Sequence, residues 1–239
     1  MSGSGRTAAL VPAAGRGERL GPGVPKALRL LGGQPLLVHA IHALSASRAV
    51  DVIVVAAPAE QVDDVRATLN AQEIAAEVVV VTGGETRQES VARALIALAP
   101  DIDVVLVHDA ARPLVPPELV ASVVAAVRAG HGAVIPGLPM VDTIKQVDAD
   151  DNVIGTADRS TLRAVQTPQG FERAVLQSAH AAVDPDAPAA TDDAGLVESR
   201  GVTVHVIPGH EEAFKVTRPL DLVLAEAVLS RRRATGSVG

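Results

Sequence analysis

Six short apolar runs without polar alternation punctuate the chain, at residues 8–12, 50–56, 77–81, 104–108, 133–136 and 202–207. A strand that faces water on one side alternates apolar with polar residues, whereas a strand covered on both faces does not. Between the runs lie longer amphipathic stretches of helical period, at about 34–45, 61–71, 88–98 and 117–129. Pro116-Pro117 and Gly130 are start and stop signals for the last of these. The alternation predicts an α/β fold in three layers, with a mostly parallel sheet and right-handed crossovers.

The pattern breaks between about 137 and 169. There, extended pieces at 143–147 and 153–156 flank the acidic turn Asp148-Ala149-Asp150-Asp151-Asn152, which reads as a β-hairpin arm inserted into the core. A two-stranded hairpin is barely stable alone, so it is expected to lie on another subunit. Residues 184–190 form a Pro/Ala/Asp loop, a last helix spans about 219–232, and 234–239 reads as a frayed tail. With no internal repeat and no second core, the expectation is one domain over 1–239 carrying an arm at about 137–169.

Composition narrows the function classes. No apolar stretch approaches the roughly 18–20 residues of a membrane span. A net charge of −7, no Tyr, no Trp and two Phe argue against nucleic-acid binding by basic surfaces or aromatic stacking. The absence of Cys excludes thiolate chemistry and suits a reducing cytoplasm, the expected location. Among the 21 basic residues only Lys26, Lys145 and Lys215 are lysine. Genome bias accounts for the scarcity but not for where these three stand.

The first run ends in Val11-Pro12-Ala13-Ala14-Gly15-Arg16-Gly17-Glu18-Arg19-Leu20, with Pro25-Lys26 following. Small residues after a strand let a backbone approach a ligand and wrap an anion with its N–H groups. A dinucleotide fingerprint fails at Leu20, and a Walker A Gly-Lys-Ser/Thr is absent. What remains is a loop holding a nucleoside triphosphate, with Arg19 and Lys26 on its phosphates, or a plain turn with solvated cations. The fourth run ends in His108-Asp109-Ala110-Ala111-Arg112-Pro113. Asp109 at that place suits a Mg²⁺ ligand beside a phosphate site, or a helix cap. The third run leads into Gly83-Gly84-Glu85-Thr86-Arg87-Gln88-Glu89-Ser90, which can offer backbone amides and a helix N-terminus. His39 and His42 share a predicted helix face without a third ligand and read as packing residues. Arg231-Arg232-Arg233 reads as a complement to the last helix's C-terminal dipole.

In this order, Pro-Ala-Ala-Gly-x-Gly-x-Arg with Pro-Lys, His-Asp-Ala-Ala-Arg-Pro and Lys215-Val216-Thr217-Arg218-Pro219 resemble the 2-C-methyl-D-erythritol 4-phosphate cytidylyltransferases of the non-mevalonate isoprenoid pathway. The resemblance covers about 8–229. It implies a Rossmann-like nucleotidyltransferase sandwich that makes CDP-methylerythritol and pyrophosphate from CTP and methylerythritol phosphate. It implies Mg²⁺ or another divalent cation as cofactor, and a homodimer through the arm. Pro12, Ala13, Ala14, Gly15 and Gly17 match the triphosphate loop; Gly83, Gly84 and Ser90 match the segment reading cytosine and ribose. Arg19 and Lys26 match the transition-state stabilisers, Asp109 the metal-side carboxylate, and Arg112, Thr167 and Thr191 substrate contacts. Thr143 and Arg159 match arm residues reaching the acceptor in the neighbouring subunit, and Lys215 the lysine that positions the attacking phosphate. Two departures stand out: Ala213 where many relatives carry Asn, and Glu85 where Asp is common. The rival readings are a ribitol 5-phosphate cytidylyltransferase, a sugar 1-phosphate nucleotidyltransferase without this arm, and a nucleotide-binding regulator without catalysis.

Overall fold

The structure is a computed structural model and describes residues 5–15, 25–183 and 190–236. Gly17 and Arg19, the 21–24 loop, residues 184–189 of the Pro/Ala/Asp loop and the last three residues of the tail lie outside that description. In chain order the elements are β1 (Arg6–Pro12), β2 (Leu30–Leu31), β3 (Gln34–Pro35), α1 (Leu36–Ala46), β4 (Val52–Ala57) and α2 (Val62–Asn70). There follow β5 (Glu77–Thr82), α3 (Arg87–Ile96), β6 (Ile102–Val107), α4 (Pro117–Arg128), β7 (Ala133–Pro139), β8 (Lys145–Val147) and β9 (Val153–Thr156). The chain closes with β10 (Arg163–Val165), β11 (Gln169–Glu172), α5 (Arg173–Ala181), α6 (Asp193–Glu198), β12 (His205–Pro208) and α7 (Pro219–Ala234).

The main sheet runs β10-β7-β11-β6-β1-β4-β5, with β12 also on β7. β1 is parallel to β4 and β6, β4 to β5, and β12 to β7. β11 is antiparallel to β6 and β7, as β10 is to β7. Covering of both faces explains the missing polar alternation in β1, β4 and β6, whereas β5 and β12 at the margins of the sheet stay partly exposed. Ala9, Val11, Ile53 and Val55 meet Ile41 of α1, Leu69 of α2 and Val120 of α4. Their neighbours Ala8, Leu10, Val52 and Val54 meet Val91 of α3, Leu176 of α5 and Val197 of α6. A fully buried side chain of this size contributes about 1.5–3 kcal/mol, so either layer is a large fraction of the folding free energy. A third cluster, with Leu31, Leu36, Val216, Ala225 and Leu229, seats α7 on the core.

Several elements differ from the sequence expectation. The span 137–169 divides: β7 reaches Pro139 within the sheet, β10 and β11 return to it, and the β8–β9 hairpin forms a sheet of its own. β10 and β11 are too short to show a period. β11 also contains Gly170, where a Cβ would stand 2.5 Å from Val123 Cγ1, so glycine there lets α4 close on the sheet. α5 and α6 are further elements, and the run at 202–207 forms a ladder only from His205. Arg231 and Arg232 both ion-pair with Glu212, and Arg232 Nη2 also donates to the Leu114 carbonyl at 2.7 Å. Those arginines tie α7 to the segment before Lys215 and do more than complement a dipole. His39 meets the Leu31 carbonyl at 2.8 Å and His42 meets Gln72, so the two imidazoles serve separate packing contacts.

Strand order reverses between β1 and β6, since β4 and β5 extend to one side of β1 and β6 lies on the other. In open α/β sheets the binding crevice opens beyond the carboxyl ends of strands at such a reversal.

Candidate active site

The loop after β1 is anchored by the Ala13 N–H, which donates to the Ala56 carbonyl at 2.8 Å; the Gly83 N–H donates to the Ala57 carbonyl at the same distance. The two loops therefore leave the sheet side by side. A Cβ at position 83 would lie 2.6 Å from Ala14 Cβ and 3.0 Å from Ser90 Oγ. Glycine is required there by close approach of two backbones. Ser90 is buried; its hydroxyl accepts from the Gly84 N–H at 3.0 Å and donates to the Thr86 carbonyl at 2.9 Å. Arg93 Nη1 donates to the Gly83 carbonyl at 2.6 Å, and the Glu85 N–H donates to Glu89 Oε2 at 2.9 Å. The amides of Gly83, Gly84 and Glu85 are thus engaged by the protein. Ala14, Gly83 and Ser90 meet in one small-residue wall, flanked in the chain by Pro12, Ala13, Gly15 and Gly84.

Thr86 caps α3, accepting from the Glu89 N–H at 3.1 Å, and so places Arg87 in the first turn. Arg87 Nε reaches Asp109 Oδ1 at 3.2 Å, and Lys215 Nζ reaches Asp109 Oδ2 at 2.8 Å. Burial alone would raise the Asp109 carboxyl, but Arg87 and Lys215 outweigh it and hold the group well below the usual carboxylate range. Asp109 is therefore held in its charged form, with one cation against each oxygen.

His108, fully buried beneath it, has Nε2 3.2 Å from the Arg112 carbonyl and Nδ1 3.0 Å from Thr167 Oγ1. A carbonyl only accepts, so Nε2 carries the proton and Nδ1 accepts from the Thr167 hydroxyl. That hydroxyl in turn accepts from the Asp109 N–H at 3.0 Å, so its donor goes to His108 and one of its two lone pairs to Asp109. Burial pushes the His108 imidazole down to about 4 from 6.5. The unfolded chain then binds the extra proton between those pH values. This contribution to stability is complete above pH 6.5 and is lost as pH falls toward 4. In metal-free buffer, urea unfolding of the chain should weaken across that window by on the order of 3 kcal/mol. The same titration of His108→Gln should be flatter; an equally steep curve would assign the acid lability elsewhere.

Lys215 is held from three directions. Arg112 Nη1 donates to the Ala213 carbonyl at 2.6 Å, the Val216 N–H donates to the Ala111 carbonyl at 2.8 Å, and the Thr217 N–H donates to Asp221 Oδ2 at 2.7 Å. Ala213 is fully buried, so its methyl joins the core just before Lys215.

A sequence profile described as 2-C-methyl-D-erythritol 4-phosphate cytidylyltransferase matches residues 7–231. The chain belongs to this family. It is 58% identical over 236 residues to the enzyme of that name from Streptomyces coelicolor, covering 95% of this chain and 86% of that one. It is 61% identical over 228 residues to the one from Frankia casuarinae, covering 95% and 83%. Among solved structures, that of the Thermus thermophilus cytidylyltransferase superposes with TM-score 0.75 at 38% identity, covering 93% of this chain and 98% of that one.

In this cytidylyltransferase the structure brings Asp109, Arg112, Thr167 and Lys215 into one cluster beyond β6. Arg87 joins that cluster to the small-residue wall. Arg112 spends its fork on carbonyls, with Nη2 donating to Val165 at 3.1 Å in addition to Ala213. Lys26 opens a short 3-10 turn, Lys26–Leu28, directly after Pro25. Thr191 is exposed, next to Asp192, which caps α6. Thr143 and Arg159 are exposed on the arm, where Arg159 donates to the Val141 carbonyl. Sequence reading missed the roles of Arg87, Asp193 and His180. The capping signals at Thr86 and Asp192 could have placed the first two at helix starts, but no spacing rule pairs residues 106 positions apart.

Among the described residues no three His, Cys, Asp or Glu side chains converge on a metal position. Mg²⁺ does not require them. It is usually held by one or two carboxylates, with substrate phosphates and waters completing the shell. Asp109 fits that donor set, because each of its oxygens keeps acceptor capacity beyond its single cation.

Proposed function

We propose that this chain transfers the cytidylyl group of CTP to 2-C-methyl-D-erythritol 4-phosphate, forming CDP-methylerythritol and releasing pyrophosphate. The observation that carries the reading is the Lys215, Asp109 and Arg87 cluster at the strand-order reversal, beside the glycine wall, in a chain matched by the family over 7–231. An oxygen of the acceptor phosphate attacks the α-phosphorus of CTP in line. The new P–O bond forms as the bond to the bridging oxygen breaks, and pyrophosphate leaves with that electron pair. The nucleophile is already anionic, so the step needs no general base; positioning and charge neutralisation carry it.

Pro12, Ala13, Ala14, Gly15 and Gly17 line the triphosphate, and Gly83, Gly84 and Ser90 shape the cytidine side. Lys26 and Arg19 neutralise charge that grows on the leaving group. One cation at ~4 Å is worth roughly 4 kcal/mol at an effective dielectric of 20, so several are needed. Lys215 draws in the acceptor phosphate as a compact point charge. Arg112, Thr167 and Thr191 contact the substrates, and Arg112 and Thr167 also keep Lys215 and Asp109 in place. Asp109 would hold a divalent cation, which when bound spreads the charge of the phosphates.

The arm exposes Val141, Val147, Val153 and Ile154, an apolar surface suited to a second copy of the chain. In such a homodimer Thr143 and Arg159 reach the partner's acceptor site. A monomer in solution with full activity would contradict that role. No helix of the described residues is long and apolar enough to cross a membrane, and we place the enzyme in the cytoplasm. The acceptor reading is tested by comparing kcat/KM for methylerythritol phosphate, ribitol 5-phosphate and a sugar 1-phosphate with CTP. The first should lead by at least tenfold, and preference for another would transfer the chain to that chemistry.

A further inference from the structure

We propose that Asp193, backed by His180, is a positioning residue for the reaction, acting through Arg87 on Asp109 and Lys215. This rests on the cytidylyl-transfer reading above. Asp193 Oδ2 meets Arg87 Nη1 at 2.6 Å, and Asp193 Oδ1 accepts from His180 Nε2 at 3.0 Å. Charges alternate from there to the crevice: Arg87 to Asp109, and Asp109 to Lys215. The row is sealed at its far end, where the His180 and Asp193 side chains are 5% and 2% exposed, and opens at Lys215, which is 39% exposed.

The sealed end has no slack. Gln169, almost fully buried on β11, grips the start of α6 twice: its Nε2 donates to Asp192 Oδ2 at 2.6 Å and its Oε1 accepts from the Ala194 N–H at 3.1 Å. Asp192 caps the helix, accepting from the Gly195 N–H at 2.9 Å. The neighbouring carboxylate of Asp193 is thereby left to Arg87. An Arg side chain has many rotamers, and a single contact through Nε would let the guanidinium swing. A second contact at Nη1, to a carboxylate fixed in the core, sets its plane and so the place of Asp109 Oδ1. Replacing a buried ionic row by apolar side chains is often neutral or stabilising. Stability alone therefore does not account for one that ends on an ammonium in the crevice.

Asp193→Asn puts an N–H donor against one of two donors while keeping the volume. It should lower kcat about tenfold, the lower end for a residue that orients a functional group from behind, and leave KM for CTP within about twofold. In an Arg87→Ala chain the same change should lower kcat no further, because the path runs through Arg87. His180→Ala should reproduce part of the loss and His180→Gln, whose amide can donate to Asp193, should restore it. Independent multiplying losses for Asp193→Asn and Arg87→Ala, or parental kcat in Asp193→Asn, would overturn the proposal. A second readout does not depend on turnover: urea midpoints of Asp193→Asn, Lys215→Ala and the pair should be non-additive although the two residues share no contact. Additive midpoints also overturn it. A parent chain that releases no pyrophosphate would instead refute the cytidylyl-transfer reading, with the midpoint cycle still deciding the relay.

Discussion

Lys215→Ala should release pyrophosphate from CTP and methylerythritol phosphate about 10²–10³-fold more slowly than the parent at saturating substrates, the cost of one preorganised charge-stabilising group. The ammonium stands at the mouth of the cluster, 2.8 Å from Asp109 Oδ2. Its removal takes away the cation offered to the acceptor phosphate and leaves Asp109 less compensated, so that its negative charge faces two phosphorylated substrates. KM for the acceptor should rise along with the loss in kcat, whereas KM for CTP should change little. Lys215→Arg should recover only part of the rate, because a planar fork cannot follow phosphate oxygens whose geometry changes during displacement. The side chain is 39% exposed and caps no core cluster, so circular dichroism should match the parent. Near-parental turnover in Lys215→Ala would remove this residue from the reaction.

Asp109→Asn tests the other half of the pair and should affect folding as well as rate. Breaking a buried ion pair by removing one partner costs about 3–5 kcal/mol. Arg87 keeps Asp193 and Lys215 reaches water, so the loss should fall near ~3 kcal/mol, the lower end of that range. The sign with pH follows from the depressed carboxyl: its contribution is present above the unfolded value of 3.8 and disappears as pH falls through the lower folded value. The variant should therefore lie furthest below the parent at neutral pH and approach it in strong acid. Turnover should fall at least 10²-fold, with half-saturation moved to higher Mg²⁺. Urea midpoints across pH together with a Mg²⁺ titration measure both; an Asn variant as stable and as active as the parent would contradict the assigned charge balance.

Much of this site was legible before the fold was known, for a physical reason. The residues that carry it follow apolar strands, and strand ends on a parallel sheet converge whatever lies between them. Asp109 after β6 and Gly83 after β5 could thus be placed together without a single contact. Lys215 came from motif order and from its rarity, since no element boundary points at it. What could not be read is how side chains from distant segments pair. In the sequence Arg87 stands only as one residue of the segment 83–90 that leads into a helix. Its partners, Asp109 and Asp193, lie 22 and 106 positions away, and only the stacking of α3 and α6 on one face of the sheet brings them within reach. Thr167 shows the converse. The motif places it at the site, but only the fold shows that its hydroxyl donates to His108 and accepts from the Asp109 amide. The antiparallel strands β10 and β11 escaped because three or four residues carry no usable period, and their neighbours on the sheet decide their conformation.

The most direct test of the account follows products by phosphorus NMR, with the parent chain, CTP, methylerythritol phosphate and Mg²⁺. The prediction is that CTP disappears as one equivalent each of a CDP-linked diphosphate and free pyrophosphate appears, with no orthophosphate from either substrate. Absence of turnover with this acceptor, or conversion of CTP without the diphosphate product, would contradict it.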